Sequence, residues 1–257
     1  MQIDSMAQRH TYILNKLQHD EVVKVADLSD ILGVSLVTIR KDLKILENKH
    51  LLYRSHGVIT KTDPYTKDIN VNEKGLMHLD QKISIGNAAA NLVKSQDAIL
   101  IASGTTVLQM AQALNNFEKR LTVVTSAMNV AMALREKPNT EVIQLGGIMR
   151  HSSTSVVGPY AEEMLKGLSF TTLFLGVDGI ELEYGCSTSN MQEAKLNWEM
   201  IKVAQKTVVL TDSSKFGKRG FGKICEMNDI DQIITDNGIS TFYRQEIEAA
   251  GIELTVV

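Results

Sequence analysis

The chain has 257 residues, 44% of them apolar and 22% charged, with a formal net charge of -3, a size that holds a small domain of about 60 residues beside a larger one. No run approaches the roughly 20 consecutive apolar residues of a membrane span, and the opening MQIDSMAQRH lacks the apolar stretch of a signal peptide, so a cytoplasmic protein with no membrane partner is expected. Cys186 and Cys225 are too few and too isolated for a disulfide framework or a zinc site, which fits a reducing compartment.

In chain order, Val25, Leu28, Ile31 and Leu32 recur at three- and four-residue spacing, which predicts a short helix from 24 to 32 with one apolar face. Gly33 tolerates the positive φ of a helix stop, and Ser35 is placed to cap a second helix from 36 to about 48. That helix turns Ile39, Leu43 and Leu46 inward and leaves Thr38, Arg40, Lys41 and Lys44 on its other faces. LLYRSHGVIT then alternates and turns at His56-Gly57, the pattern of a β-hairpin wing carrying Arg54 and His56. Arginine and lysine suit phosphate or a guanine edge, and a hydroxyl near a helix N-terminus reaches the major groove. Ser35, Thr38, Arg40, Lys41, Lys44, Arg54 and His56 are therefore the candidate DNA contacts. Two amphipathic helices around a glycine are common, and a basic face is usually just solvated. Here helix, basic helix and wing stand in the order of a winged helix-turn-helix. The acidic total does not oppose DNA, because Arg40, Lys41, Lys44, Lys49 and Arg54 face only Asp42 and Glu47 between residues 36 and 56.

The polar stretch from 61 to 78, with Pro64 and Gly75 and no sustained periodicity, reads as a linker between a DNA-binding domain, 1–60, and a second domain, 79–257. Apolar runs at 98–102, 121–125, 141–145, 171–177, 207–211, 231–235 and 252–257 alternate with amphipathic helices such as 191–204. This is the pattern of an open α/β domain with a mostly parallel sheet, in which ligands bind beyond the carboxyl ends of the strands. The first such loop is Ser103-Gly104-Thr105-Thr106, where backbone N–H groups, hydroxyls and a helix N-terminus suit a phosphate; a plain helix cap is the simpler alternative. Ser126 follows the second strand, Gly147 and Arg150 the third, Asp178 and Glu181 the fourth, and Lys215 the fifth. Each loop alone could be a turn; five at the same ends of successive strands point to a ligand.

ADLSDILGVSLVTIRKDLKILENKHLLYRSHGVI resembles the signature of the DeoR family of bacterial transcription regulators. SGTT, LGG followed by Arg150, SVVGP, FLGVDGI and TDSSKFG resemble the motifs of its sugar-phosphate sensor domain. FLGVDGIELEYGCSTSNMQEAKLN is particularly similar to the AgaR-like, amino-sugar branch. The resemblance implies a C-terminal domain related to ribose-5-phosphate isomerase, with Ser103, Gly104, Thr105, Thr106 and Lys215 holding the phosphate. It further implies that Asp178, Glu181, Thr188 and Glu193 face the sugar. Two positions depart from the pattern: Ala102 stands where the family often has Asp, and Ser126 where it often has Asn.

The expected function is a repressor of sugar or amino-sugar catabolism genes that binds double-stranded operator DNA as a dimer or tetramer and answers to a phosphorylated sugar. No cofactor and no metal are expected. The competing reading is an enzyme of the same fold, with Asp178 and Glu181 as a proton-transfer pair. Against it, His78 and His151 lie in no catalytic motif, the related isomerases' glycine-rich loop carrying a lysine is missing around Glu193, and a DNA reader has no place on an isomerase.

Overall fold

The computed structural model describes residues 5–20, 22–49, 51–55, 57–61, 65–114 and 117–257, so His56 and Pro64 lie outside the described residues. They form two units, Met1–Tyr65 and Thr66–Val257.

The first unit runs α1 (Met6–His19), β1 (Val22–Lys24), α2 (Val25–Leu32), α3 (Leu36–Asn48), β2 (Tyr53–Ser55) and β3 (Val58–Thr60). α1 and β1 go beyond the elements expected from periodicity. A capping box starts α1: Ser5 Oγ accepts from Gln8 N, and Gln8 Oε1 accepts from Ser5 N, both at 3.2 Å. Gly33 ends α2 at φ 62°, and Ser35 Oγ accepts from Thr38 N at 3.3 Å to begin α3. The wing hairpin gains β1 as a third antiparallel strand, in the order β1-β3-β2. Ile13, Leu28, Ile39, Leu43, Leu52 and Ile59 are fully buried between helices and sheet. Ile31 corrects the expected inward face of α2, for it is 51% exposed. At about 100° per residue it falls about 90° from the midline of Val25, Leu28 and Leu32. Asp42, on α3 but buried, is held by Arg9 Nε at 2.6 Å, which ties α1 to α3.

The second unit begins with α4 (Val71–Leu76), α5 (Leu79–Ala90), β4 (Ala98–Ile101), α6 (Thr105–Ala113), β5 (Leu121–Thr125), α7 (Met128–Leu134) and β6 (Thr140–Gln144). A hairpin of β7 (Ile148–Arg150) and β8 (Ser155–Val157) precedes α8 (Pro159–Leu165) and β9 (Thr172–Gly176). Then come β10 (Gly179–Glu181), β11 (Gly185–Thr188), α9 (Met191–Lys202), β12 (Thr207–Leu210), β13 (Gly222–Cys225), β14 (Gln232–Thr235), α10 (Thr241–Ala249) and β15 (Glu253–Val256). All seven expected strands join one sheet, ordered β15-β14-β12-β9-β4-β5-β6, and every pairing in it is parallel. The loop expected after β9 instead folds into an antiparallel sheet, β10-β11-β13.

One expectation is corrected here. Residues 66–78, expected as linker, belong to the second unit: Asn70 caps α4, and Val71 N donates to Ser152 O at 2.7 Å. Apart from the buried Val71, the described contacts that hold this strap are polar, so hydropathy does not register it. Cys186 and Cys225, isolated along the chain, are cross-strand partners between β11 and β13. Both are buried and free, and the hydrogen bond between them, with burial, holds the Cys186 thiol well above its ordinary pKa. Among the described residues no helix is long and apolar enough to cross a membrane.

α5 and α6 pack at the close distance that Gly86 permits, since a Cβ there would lie 2.6 Å from Met110 N. Gly86→Ala is expected to lower stability by about 1–3 kcal/mol through overpacking. Urea unfolding of the full chain checks this, and an unshifted midpoint would contradict the contact.

Candidate functional site

α3 presents Arg40, Lys41 and Lys44 exposed, with Thr38 partly so. The Ser35 and Thr38 hydroxyls lie 3.1 Å apart at the helix start, so both are engaged in the cap. Val37 and Leu36 beside them are 60% and 41% exposed. Val37 is an exposed apolar group that charge-based reasoning passes over; a major groove offers thymine methyls to such a group. Arg54 turns back from the wing onto α3, pairing through Nε with Glu47 Oε2 at 3.1 Å and donating from Nη1 to Arg40 O at 3.4 Å. Asp42 is buried and Glu47 is paired, so the exposed charge of α3 is more positive than its sequence.

In the second unit, strand order departs in opposite directions from the neighbours β4 and β9, toward β5-β6 on one side and β12-β14-β15 on the other. A cleft opens at such a switch point. The cavity there, about 690 Å³ including the space open to solvent, takes its walls from the segments after β4, β9 and β12, from Arg150 and Ser152, and from α4 and α5. Gly104 starts α6 at φ 142°, and the first N–H groups of that helix lack acceptors within it. Glu193 reaches the same place because Asn190 Oδ1 accepts from Glu193 N at 3.0 Å to cap α9.

The cavity's charges are interlocked. Ser103 Oγ donates to Glu193 Oε1 at 3.1 Å, and Arg150 Nη1 to Glu193 Oε2 at 2.8 Å. Lys74 Nζ donates to Asp178 Oδ1 at 2.6 Å, while Thr188 Oγ1 and Ser189 N reach Asp178 Oδ2 at 3.1 and 3.0 Å. Burial pushes the Asp178 pKa upward, but the charge and hydrogen bond of Lys74, aided by Ser189 and Thr188, outweigh it and hold the carboxyl below its ordinary value. Glu193 moves the other way: burial, reinforced by the charge of Asp178, raises its pKa against the pull of Arg150 and Ser103. Lys82 is buried on α5 and donates to Lys74 O and Met77 O, both at 2.5 Å. Asp212 is also buried; its Oδ1 accepts from Ser214 N, and its Oδ2 has no hydrogen-bond partner.

Of the twelve expected ligand residues, Ser103, Gly104, Thr105, Thr106, Arg150, Asp178, Thr188, Glu193 and Lys215 line this cavity. Glu181 does not: it is buried against Arg219, whose Nε donates to it at 2.7 Å, so Asp178 and Glu181 form no proton-transfer pair in the cavity. Gly147 also lies outside, its glycine serving a close approach, because a Cβ would stand 2.7 Å from Val157 O. Ser126 is buried outside the lining, with its carbonyl accepting from Val156 N at 2.9 Å. Ala102 is fully buried outside it too, so neither position departing from the family pattern faces the cavity. Lys74, Lys82 and Asp212 line it without having been expected; Lys74 sat in the supposed linker, and a single lysine inside a helix carries no sequence signal. Among the described residues no group of His, Cys, Asp or Glu is arranged to hold a metal ion.

A model of the DeoR-like helix-turn-helix domain matches residues 9–64, and one of the DeoR C terminal sensor domain matches residues 77–237. The chain is 37% identical over 257 residues to a protein of Escherichia coli O157:H7 named "Putative aga operon transcriptional repressor", covering 99% of this chain and 95% of the relative. It is 32% identical to the HTH-type transcriptional regulator GlpR of Haloferax volcanii, over 96% of each chain. It is 30% identical to the HTH-type transcriptional regulator GolR of Listeria innocua, over 97% of this chain and 98% of the relative. Among solved structures, a ribose 5-phosphate isomerase A from Methanocaldococcus jannaschii matches 54% of each chain at 16% identity and a TM-score of 0.40, too slight a likeness to carry an argument.

pH acts on the cavity through Lys82. Burial lowers its pKa from 10.5 to about 8, against the charge of Asp212 and with those of Lys215 and Lys74. Below about pH 8 the amine is charged in the folded and unfolded states alike, and the cost of burying that charge is fully present. As pH rises from about 8 toward 10.5 the folded state sheds the proton first and the cost is relieved. Relative to Lys82→Met, the natural chain is therefore expected to gain stability between pH of about 7 and about 10. Urea unfolding of both proteins checks this, and a difference flat with pH would contradict it.

Proposed function

The chain belongs to the DeoR family of transcriptional regulators, and from that premise we propose that it is a repressor of sugar or amino-sugar catabolism genes controlled by a phosphorylated sugar. One observation carries the reading: a chain with an exposed basic α3 also holds, at its strand-order switch, a cavity lined by a helix N-terminus, hydroxyls and three lysines. Helix N-termini and lysines suit a phosphate dianion. The phosphate sits on Ser103, Gly104, Thr105, Thr106 and Lys215, with Lys82 as a further cation. The sugar then lies toward Asp178, Thr188, Glu193 and Arg150, whose mixed donors and acceptors match hydroxyl groups.

On DNA, Arg40, Lys41 and Lys44 contact phosphates and base edges, and Thr38 and Val37 meet the groove at the start of α3. A homodimer or tetramer sets two α3 helices in successive major grooves of a repeated operator, and the bound sugar phosphate favours an arrangement that no longer fits the half-site spacing. A coupling of about 1–3 kcal/mol changes operator affinity about 5- to 150-fold, enough for induction. The family is one of regulators, and the cavity's separation of Asp178 from Glu181 removes the pair on which catalysis would rest.

Two sets of variants test the halves. Arg40→Ala or Lys41→Ala is expected to weaken binding to a duplex selected from random DNA and, where a phosphate contact is lost, to reduce the salt slope by about one, with unfolding unchanged. Fluorescence anisotropy across a salt series measures this, and unaltered affinity refutes that face. Thr105→Val and Lys215→Ala are expected to keep DNA affinity but to lose both the thermal shift and the DNA release caused by sugar phosphates that act on the natural chain. A normal response in those variants puts the phosphate elsewhere.

A further inference from the structure

The strap from Thr66 to Met77, which leads out of the first unit's last residue, is fastened to the cavity by side chains that a ligand must also meet. Asp68 Oδ2 lies 2.7 Å from Arg150 Nη2 and accepts from Ser152 Oγ at 3.2 Å, and Asp68 Oδ1 accepts from Ser189 Oγ at 3.3 Å. Arg150 thus holds two carboxylates, and they are not equivalent. The Glu193 side chain is 11% exposed and that of Asp68 46%. Removing the buried carboxylate would strand the Arg150 charge, whereas water compensates the departure of the exposed one. Arg150 Nη2, moreover, is buried and makes no aligned hydrogen bond in spite of its approach to Asp68. It is a donor that a better-placed oxygen would satisfy.

We propose that Asp68 is a built-in stand-in for ligand: its carboxylate engages Arg150, and a carbonyl or carboxylate oxygen at the ligand end remote from the phosphate takes its place, releasing the front of the strap. This rests on the sugar-phosphate reading of the cavity. The release is confined to the front, because Lys74 stays on Asp178 and Lys82 still donates to the carbonyls of Lys74 and Met77. The freed residues, 66 to about 70, include Thr66, whose N–H donates to Arg219 O at 2.9 Å, a single backbone bond that opens with the front of the strap; they are joined by the chain to the DNA-reading unit, so occupancy of Arg150 alters the tether between sensor and reader. Asp68 is a positioning residue: it acts on the DNA unit only through the strap.

Hydrogen exchange on the full chain, with hexose 6-phosphates and N-acetylhexosamine 6-phosphates as probes, decides the matter. A binding probe is expected to slow exchange at residues 103–107 and to speed it at 66–70. Asp68→Asn is expected to show fast exchange at 66–70 without any probe and to bind the same probe about two- to five-fold tighter, the worth of one partly exposed ion pair. Absence of protection at 103–107 in both proteins overturns the ligand reading and this inference with it. Protection there without loosening at 66–70, or with no gain in affinity for Asp68→Asn, overturns the inference alone.

Discussion

Everything distinctive in the second unit depends on the divergence of the chain at β4 and β9. Each parallel strand must be left by a crossing helix, and where successive crossings go to opposite sides the carboxyl ends of two neighbouring strands are left without a helix over them. Here those ends deliver Ser103-Gly104 from one strand and Asp178 from the other. The approach is close: a Cβ on Gly176 would stand 2.9 Å from Ser103 O. The cleft is therefore a product of topology, and the residues within it only decide its chemistry.

That chemistry is dominated by the need to neutralise buried charge. Lys74, Lys82, Arg150, Asp178, Glu193 and Asp212 gather in a small volume, where an unpaired ion is severely penalised. Asp178 and Glu193 find cations, and their opposite pKa directions follow from what faces each: an ammonium and two hydrogen-bond donors for one, burial and a neighbouring carboxylate for the other. Asp212 Oδ2, Arg150 Nη2 and Lys82 are the incompletely compensated members.

Much of this was legible in the sequence because period and punctuation are local. Seven apolar runs became seven parallel strands, Gly33 and Ser35 fixed the turn before α3, and nine of twelve expected residues reached the cavity. What escaped depends on partners distant along the chain. Ile31 shares the apolar spacing of α2 but lies at the edge of the stripe, and spacing alone does not mark where burial stops. The strap read as linker because its contacts are ionic, with Lys74 and Asp178 separated by 104 positions. Glu181 looked like a cavity residue until β10 carried it to Arg219, and the two cysteines met only once β11 and β13 were paired. A hydropathy pattern says where a strand is and nothing about which cation will find a given carboxylate.

The latch between Arg54 and Glu47 bears on the other end of the molecule. With its arginine tied to α3 and to the carbonyl of Arg40, the described strands of the wing are linked to the recognition helix, and less side-chain entropy is left for Arg54 to lose on binding. Wing and helix then behave as a gauge of fixed opening. A duplex whose groove and flanking backbone do not match it must deform, so the local stiffness of a sequence enters recognition even at base pairs that no side chain touches.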